Sequence, residues 1–477
     1  MRIYRLPAMM LAAVLPCFAA AQQDTQKEIE RYRQLLQDGN PSELFEARGA
    51  EHWKAKRGPK NASLEQCDLG LGAGVVRGAY VRLPRYFADS DKVEDLESRL
   101  VTCMVALQGL TPEEAKRRPF SGPGQPSMMA DLVAWIASES RSMKIAPPQS
   151  HPKERLAYQA GEKIFFYRAG THDFACATCH GEDNKRIRLQ DLPNLTNPGD
   201  AQRAFGSWPA YRVSQGEVRS MQWRLYDCFR QQRFPELEFT SDASVALTMF
   251  LAKRAEGGTF DAPAIKRGRE AAMNLGIIAP AALCVAMLSA CATGISDAEA
   301  ERAAVGMLKA SFRSQGQAGV DRLNQDEVQA LCSRYPNGLP KDLAEKLEKA
   351  QLATIRYPAS GKLMGDWREG ERIAQSGVGK QFNDDPKGPS GGNCYACHRL
   401  SPRELSFGTI GPSLYQFGKQ RGTGDAVQRY AYSKVYNPEA FSACSNMPRF
   451  GHNRVLTEEQ ITHLVALLLD PDSPVNK

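Results

Sequence analysis

Cys176-Ala-Thr-Cys179-His180 and Cys394-Tyr-Ala-Cys397-His398 are the two segments around which this chain of 477 residues is organised. Each has the spacing CxxCH, in which two thiols bind the vinyl groups of a c-type haem and the histidine becomes the proximal ligand of the iron. A zinc or redox site is the alternative, but zinc would need a second pair of ligands nearby. Two copies, each behind a similar helical segment, predict two covalently bound haems.

The residues outside these motifs form a repeat. Gly161-Glu-Lys-Ile-Phe165 precedes the first motif, Gly370-Glu-Arg-Ile373 precedes the second, and Gly49-Ala-Glu-His-Trp53 looks like the same opening further upstream. Each module ends in a segment with apolar residues at helical spacing, the last with Thr457 as its predicted N-cap. The intervening residues are rich in Gly, Pro and Asn, which is typical of long loops around a cofactor. We therefore predict an all-α fold of three cytochrome c-like modules.

The first module differs from the others where its CxxCH would stand. Cys67-Asp-Leu-Gly-Leu71 keeps only the first cysteine, so this module should carry no haem. The predicted divisions are a signal peptide at 1–22, the haem-free module at 23–148, the first haem module at 149–260, a junction at 261–294 and the second haem module at 295–477.

The N-terminus is typical of a secretory signal. Arg2 and Arg5 precede an apolar run, and Ala19-Ala-Ala21 suits signal peptidase. A membrane anchor is the alternative, but the run is short for a span. We therefore expect an exported, periplasmic protein in a compartment where disulfides form.

A second signal-like segment lies inside the junction. Lys266 and Arg267 precede an apolar run that ends in Leu288-Ser-Ala-Cys291, which looks like a lipoprotein processing site with Cys291 as the lipidated residue. Two exported proteins joined in one chain would explain it. A transmembrane helix is the alternative, but it would leave one haem motif on the cytoplasmic side. Whether this segment is cleaved, lipidated or retained stays open.

The residue on the other side of each iron decides what each haem does. Met447 stands before a proline in a loop ahead of the final helix, the usual setting of a methionine ligand, which raises the reduction potential. A packing role is the alternative. The matching position after His180 holds Cys228, with Met221 as a nearby alternative. A thiolate lowers the potential and suggests sulfur chemistry, unless Cys228 belongs to a disulfide.

The cysteine count tests that last alternative. The chain has 12 cysteines, and those outside the signal-like segments and the haem motifs are Cys67, Cys103, Cys228, Cys332 and Cys444. This number is odd, so one is left over. Pairing within modules joins Cys67 to Cys103 and Cys332 to Cys444 and leaves Cys228, although other pairings remain open.

Composition adds little. Hydrophobic content is 42% and the net charge is +7, without a Lys/Arg-rich tail, so nucleic acid is not an expected partner. A mildly basic surface suits an anionic small molecule or an acidic protein partner, or has no special meaning.

With these residues the chain resembles the SoxAX cytochromes of thiosulfate oxidation, with a SoxA-like part up to about residue 270 and a SoxX-like part from 273 to 477. The most specific motif is Arg224-Leu-Tyr-Asp-Cys228, followed by Arg230 and Arg233-Phe-Pro. Cys67 and Cys103 without CxxCH match the single-haem form, in which a disulfide replaces the lost haem. The fusion departs from the family, where SoxA and SoxX are usually separate subunits.

The resemblance implies an L-cysteine S-thiosulfotransferase that joins thiosulfate to the C-terminal cysteine of the carrier protein SoxYZ and passes two electrons to a small cytochrome c. Cys228 would be haem ligand and sulfur acceptor, often as a persulfide. Arg224, one helical turn earlier, would hold the thiosulfate dianion, with Lys253 or Arg254 as a second charge. The two halves would pack together like a heterodimer, and the involvement of copper stays open.

Other classes of function make different predictions. A dihaem periplasmic electron carrier without sulfur transfer would have an inert Cys228, and thiosulfate would not affect its haems. A dihaem peroxidase needs an open distal site, which a strong cysteine ligand opposes. A partner-binding protein without catalysis does not explain two haems with different ligands.

Overall fold

The structure is a computed structural model that describes residues 27, 31, 39–122, 124–265 and 295–477. We call residues 39–265 the first half and residues 295–477 the second half. The predicted signal peptide at 1–22 and the lipidation site at Cys291 lie outside the described residues. Among the described helices, none is both long enough and apolar enough to cross a membrane.

Helices dominate the regular structure of both halves, which confirms the predicted helical character. In the described ranges they are α1 (Ser42–Lys54), α2 (Leu96–Cys103), α3 (Pro112–Ala115), α4 (Met128–Ser138), α5 (Pro152–Phe165), α6 (Cys176–His180), α7 (Pro198–Phe205), α8 (Met221–Gln231), α9 (Asp242–Arg254), α10 (Asp297–Ser311), α11 (Glu327–Arg334), α12 (Lys341–Leu352), α13 (Trp367–Gln375), α14 (Phe417–Arg421), α15 (Asp425–Tyr436) and α16 (Glu458–Leu469).

Short strands, which the sequence analysis did not predict, form small sheets between the helices. They are β1 (Arg85–Phe87), β2 (Lys92–Glu94), β3 (Lys185–Ile187), β4 (Gln190–Leu192), β5 (Ala210–Arg212), β6 (Glu217–Arg219), β7 (Glu236–Leu237), β8 (Ala264–Ile265) and β9 (Phe312–Arg313). Their order is β1-β2, β3-β4, β6-β5-β8 and β7-β9. Strands this short show too few residues for an alternating pattern to be read from the sequence.

Helix starts follow local capping chemistry. Thr457 is confirmed as the N-cap of α16, and it forms a capping box with Gln460. The Ser220 hydroxyl accepts a hydrogen bond from the Trp223 amide and so begins α8. Such caps satisfy backbone N–H groups that have no partner within the helix.

Three pairs of helices cross in the same way, each at a glycine. The pairs are α1 with α4, α5 with α9, and α13 with α16. A Cβ atom added at Gly49, Gly161 or Gly370 would lie 2.1, 2.0 or 2.2 Å from a carbonyl oxygen of the partner helix, so a larger side chain does not fit. These glycines open the three segments that the sequence repeat aligned, and the repeat therefore corresponds to a shared helix crossing.

The described residues form two main hydrophobic cores, and the first extends into the second half. Leu308 and Phe312 are buried in the core of the first half, while the second core begins at Leu363. Helix α10 packs on α5 and α9, and β9 pairs with β7 so that Phe312 stands opposite Leu237. The predicted boundary at residue 295 therefore divides the sequence but not the first core.

The described part of the chain contains two disulfides. Cys67 is joined to Cys103 and Cys332 to Cys444, the pairing that the division into modules predicted. Both sulfurs of the first bridge are buried in the first core. Cys228 lies outside both bridges.

Candidate functional site

A cavity of about 1460 Å³ runs between the two halves and is lined by both CxxCH motifs. The structure brings nearly all predicted site residues to this cavity. Its lining includes Cys176, Cys179, His180, Arg224, Cys228, Cys394, Cys397, His398 and Met447.

The first motif is the short helix α6, which Thr178 anchors. Its hydroxyl accepts a hydrogen bond of 3.0 Å from the Ala175 amide at the helix start. The imidazole of His180 lies at the C-terminal end of the helix, with Nδ1 at 2.9 Å from the carbonyl oxygen of Pro193. Donation from Nδ1 fixes the tautomer and presents the Nε2 lone pair, the arrangement typical of histidines that bind a metal.

The second motif repeats this arrangement on a 3-10 turn at Cys394–Ala396. His398 Nδ1 lies 2.7 Å from the carbonyl oxygen of Pro412, and burial lowers the pKa of this imidazole. Gly411 lies against the ring, because a Cβ atom there would be 2.1 Å from His398 Cε1. The carbonyls of Pro193 and Pro412 stand at nearly the same distance along the chain after their histidines, so the two motifs orient their imidazoles by the same contact.

The four motif cysteines are partly buried, and desolvation raises the pKa of each thiol to about 12. The thiols are Cys176, Cys179, Cys394 and Cys397. For Cys179 the next cause is the neighbouring Cys397. The two motifs therefore approach each other at Cys179 and Cys397.

Helix α8 presents Arg224 and Cys228 to the cavity on one face. The nearby Cys228 sulfur is the main reason that the pKa of the Arg224 guanidinium is raised, and Asp227 adds to the effect. The Asp227 carboxylate forms ion pairs with Nη1 of Arg224 at 3.3 Å and with Nη2 of Arg230 at 2.6 Å. The spacing of one helical turn, which the sequence already displays, is what brings cation and sulfur together.

Arg212 is a second cation at this site that sequence reasoning missed. It ends β5, lines the cavity and stacks on the Trp223 ring at 5.1 Å. Its Nε and Nη1 are buried and have no hydrogen-bond partner among the described residues. Burial lowers the pKa of Arg212, and the neighbouring Arg224 lowers it further. No local spacing in the sequence signals this approach, because it depends on how β5 packs near α8.

Lys253 and Arg254, the predicted second charge, are not brought to the site. Neither side chain lines the cavity. Lys253 forms an ion pair of 2.6 Å with Glu256, and Arg254 donates to the Thr196 carbonyl. Both residues stand at the C-terminal end of α9, where local acceptors bind them instead.

Met447 lies in a loop of the second half and lines the cavity. It is partly buried against the second core, and its amide donates to the Ser445 hydroxyl at 3.2 Å. Met221, the alternative to Cys228, also lines the cavity but opens α8, two turns away from Cys228.

The residues at each motif fit a c-type haem. Each offers two thiols outside the disulfides and one imidazole oriented by a carbonyl. The walls nearby are apolar, as a flat macrocycle requires. They include Phe205, Leu225 and Leu247 in the first half and Leu414, Phe450 and Leu464 in the second.

Comparison with protein families gives a match in the first half. A family model described as the SoxA/TsdA cytochrome c domain matches residues 48–145. This stretch carries the Cys67–Cys103 bridge and contains no CxxCH. It is the segment that the sequence repeat assigned to a cytochrome c-like module.

Curated relatives cover much of the chain. An "L-cysteine S-thiosulfotransferase subunit SoxA" from Hydrogenophilus thermoluteolus is 51% identical over 264 residues, which are 55% of this chain and 96% of the relative. A subunit of the same name from Hydrogenobacter thermophilus is 29% identical over 273 residues, or 56% and 99%. An uncharacterised lipoprotein from Aquifex aeolicus is 40% identical over 158 residues, or 32% and 73%.

Among solved structures, SoxXA from P. pantotrophus is similar with a TM-score of 0.41 and 22% sequence identity. The match covers 50% of this chain and 84% of the other.

Proposed function

This chain belongs to the SoxA family of L-cysteine S-thiosulfotransferase subunits, and we propose that it joins thiosulfate oxidatively to a cysteine of a carrier protein. The carrier is SoxYZ, and the protein works in the periplasm after export. One observation carries the proposal. Cys228 and two guanidinium groups, Arg224 and Arg212, share the cavity that the first CxxCH motif lines.

We propose two covalently bound haems with different ligand sets. His180 and Cys228 would be the axial ligands at the first motif, and His398 and Met447 at the second. Residues 23–148 would be a cytochrome c-like module without haem, in which the Cys67–Cys103 bridge replaces it. The SoxX-like part at 295–477 would make one chain of what are elsewhere two subunits. The burial of α10 in the first core supports this close association.

The reaction balances as an oxidation that releases two electrons. The outer sulfur of thiosulfate bonds to the sulfur of the carrier cysteine, which loses its proton, and the product is a cysteine S-thiosulfonate. The haems supply the electron-accepting chemistry, and a small cytochrome c takes the electrons onward.

The residues of this chain bind and orient the anion. Guanidinium groups form strong, charge-assisted hydrogen bonds to oxyanions, and the buried Nε and Nη1 of Arg212 offer two such donors. Arg224, beside Cys228, favours the thiolate form of a sulfur nucleophile. The stack of Arg212 on Trp223 holds its guanidinium in place.

Electron paramagnetic resonance of the oxidised protein, with the variant Cys228→Met, tests the proposal. We expect a low-spin thiolate–histidine signal that the variant loses, a higher reduction potential at that haem because methionine raises it, and no thiosulfate coupling. The second haem should keep its signal.

Met221→Leu is the matched control, since Met221 lines the same cavity on the same helix. It should leave both signals in place. Unchanged spectra and turnover in Cys228→Met would contradict the proposal and leave a dihaem electron carrier without sulfur transfer.

A further inference from the structure

The loop that carries Met447 is held on its N-terminal side by a residue of the first half. Arg168 donates to the Ser445 carbonyl at 2.7 Å, to the Cys444 carbonyl at 3.0 Å and to Asn446 Oδ1 at 2.9 Å. These are the three residues that directly precede Met447. One planar guanidinium therefore sets the course of the backbone up to the predicted ligand.

On its C-terminal side, the same loop is held by Asp173, a second residue of the first half. Arg449, which is 1% exposed, donates through Nε and Nη2 to both carboxylate oxygens of Asp173 at 3.0 and 2.6 Å. Asn453 also donates to Asp173, at 2.8 Å. Asp326 of the second half pairs with Arg449 at 2.7 Å. Asp173 is 4% exposed, so this fork is shielded from water.

Contacts within the second half fix the loop mainly at its ends. The Cys332–Cys444 bridge and a hydrogen bond from the Cys444 amide to Glu439 hold the start. The Gly451 amide donates to Tyr436 and holds the end. At Met447 itself the amide donates to Ser445 within the loop, and Pro448 has no N–H to donate.

The two residues of the first half come from a single turn. Arg168 and Asp173 lie just before Cys176, the first cysteine of the first CxxCH motif. The segment that leads into one haem motif thus encloses the ligand loop of the other.

We propose that Arg168 and Asp173 are positioning residues for Met447, so that the first half completes the ligand site of the second haem. This inference rests on the proposed role of Met447 as an axial ligand. A thioether is a neutral donor, so its bond to iron depends on a loop that holds the sulfur in place. Residues that contact the loop without touching the iron can therefore tune the metal site through its ligand.

The test uses the full-length haem-loaded protein with Asp173→Asn and Arg168→Lys. We measure the charge-transfer absorption band of methionine-bound ferric haem and the reduction potentials of both haems. Asp173→Asn should weaken the band and lower the potential of the second haem, while the first haem keeps its potential. Arg168→Lys keeps the charge but not the planar fork, so it should weaken the band less.

Asp297→Asn is the matched control. It removes another ion pair between the halves, the one that the exposed Asp297 forms with Lys163, and no residue of the loop takes part in that pair. Both haems should be unchanged in this variant. An equal loss of the band in Asp297→Asn would overturn the inference, because the effect would then follow from a general loosening of the halves.

Met447→Ala distinguishes a wrong ligand assignment from a wrong role of Arg168 and Asp173. Loss of the band in Met447→Ala, with an unaltered band and potential in both Asp173→Asn and Arg168→Lys, would overturn the inference and leave the ligand assignment standing. An unaltered band in Met447→Ala would overturn the ligand assignment and the inference with it. Arg168→Lys keeps the test open if Asp173→Asn does not fold, since it leaves the buried Arg449 paired.

Discussion

Arg224 and Arg212 show how one site combines a residue visible in the sequence with one that is not. Arg224 stands one helical turn before Cys228, so a sequence pattern is enough to associate the two. Arg212 lies on β5 and comes near the same site only because β5 packs near α8, where its guanidinium lies over the Trp223 ring. A predicted cation, Lys253, is bound by Glu256 instead.

We predict that Arg224→Ala and Arg212→Gln each lower kcat/KM for thiosulfate roughly ten- to a hundredfold. A hydrogen bond to a charged group contributes about 1.5–3 kcal/mol, and about 1.4 kcal/mol corresponds to a factor of ten. The measurement is thiosulfate-dependent reduction of a c-type cytochrome in the presence of the carrier protein.

Lys253→Ala is the control, because that side chain does not line the cavity. Its kcat/KM should equal that of the wild type. A large loss in Lys253→Ala with none in Arg212→Gln would reverse our assignment of the second cation.

At the scale of elements, the helix crossings at Gly49, Gly161 and Gly370 give the sequence repeat a physical meaning. The glycines recur because each backbone lies against a carbonyl of the partner helix. The repeat was visible in the sequence, whereas the identity of each partner helix was not, since it follows from long-range packing.

We predict that Gly161→Ala destabilises the protein by about 1–3 kcal/mol, the usual effect of overpacking. The added methyl group would lie 2.0 Å from the Ala246 carbonyl oxygen and force α5 away from α9. Denaturant unfolding of the full-length protein measures the change.

Gly306→Ala is the matched control within a helix. Nothing lies within 4 Å of a Cβ atom at Gly306 in α10, so alanine should stabilise the helix by about 0.5–1 kcal/mol. Equal effects of the two substitutions would refute the crossing at Gly161.

Two buried carboxyl groups connect α2 to the start of α8. Gln222 donates to Asp95 at 2.7 Å, and Glu97 binds the Ser220 side chain. Burial, together with the neighbouring Asp95, raises the pKa of Glu97 from 4.5 to about 8. The folded protein therefore keeps a proton on Glu97 that the unfolded chain releases at a lower pH.

We predict that this group makes the protein less stable as the pH rises from 4.5 to about 8. Across that window the folded state binds more protons than the unfolded state, so the free energy of unfolding falls, and the contribution levels off above the folded pKa. Glu97→Gln should reduce the slope of the unfolding free energy against pH. Unfolding free energies measured across the window test this.

Glu114→Gln is the control for that experiment, because hydrogen bonds at Thr111 lower the pKa of the exposed Glu114. Glu114 therefore titrates below this pH range, and the pH dependence of the unfolding free energy should stay as in the wild type. An unchanged slope in Glu97→Gln would show that Glu97 does not hold the proton.

At the scale of the whole molecule, the two halves share buried structure. Leu308 of α10 lies in the first core, and the β3–β4 hairpin of the first half contacts the second. Arg186 donates to the Phe407 carbonyl at 2.7 Å, and Arg188 donates to Asn393 Oδ1 at 2.7 Å beside the second CxxCH motif.

We predict that the halves stay together after cleavage of the junction at a protease site inserted near residue 270, because these contacts do not depend on the covalent link. Size-exclusion chromatography of the cut protein should give a single species that contains both fragments and the two proposed haems. Separate elution of the fragments would contradict this.

The hairpin contributes polar contacts, and α10 contributes apolar ones. The double variant Arg186→Ala, Arg188→Ala should therefore weaken the association of the cut protein without abolishing it. The exposed-pair variant Asp297→Asn should leave the association unchanged, since surface ion pairs contribute little.

The features that depend on local spacing can be predicted from the sequence alone. CxxCH places two thiols and an imidazole within one turn, Arg224 and Cys228 share a helix face, and the repeat with its glycines marks equivalent helices. Both disulfide pairings also followed from the division into modules, although the sequence left other pairings open. Apart from the disulfides, whose cysteines are 36 and 112 residues apart, these patterns are visible in the sequence because their members lie within a few residues of one another or recur at a fixed place.

Which distant groups meet depends on the three-dimensional packing of the elements. It placed Arg212 beside Arg224, kept Lys253 away, extended the first core over α10 and enclosed the Met447 loop between Arg168 and Asp173. These contacts join residues far apart in the chain, and they arise because burial of apolar surface brings whole elements together. Polar groups on those elements then take whatever partners the packing leaves within reach.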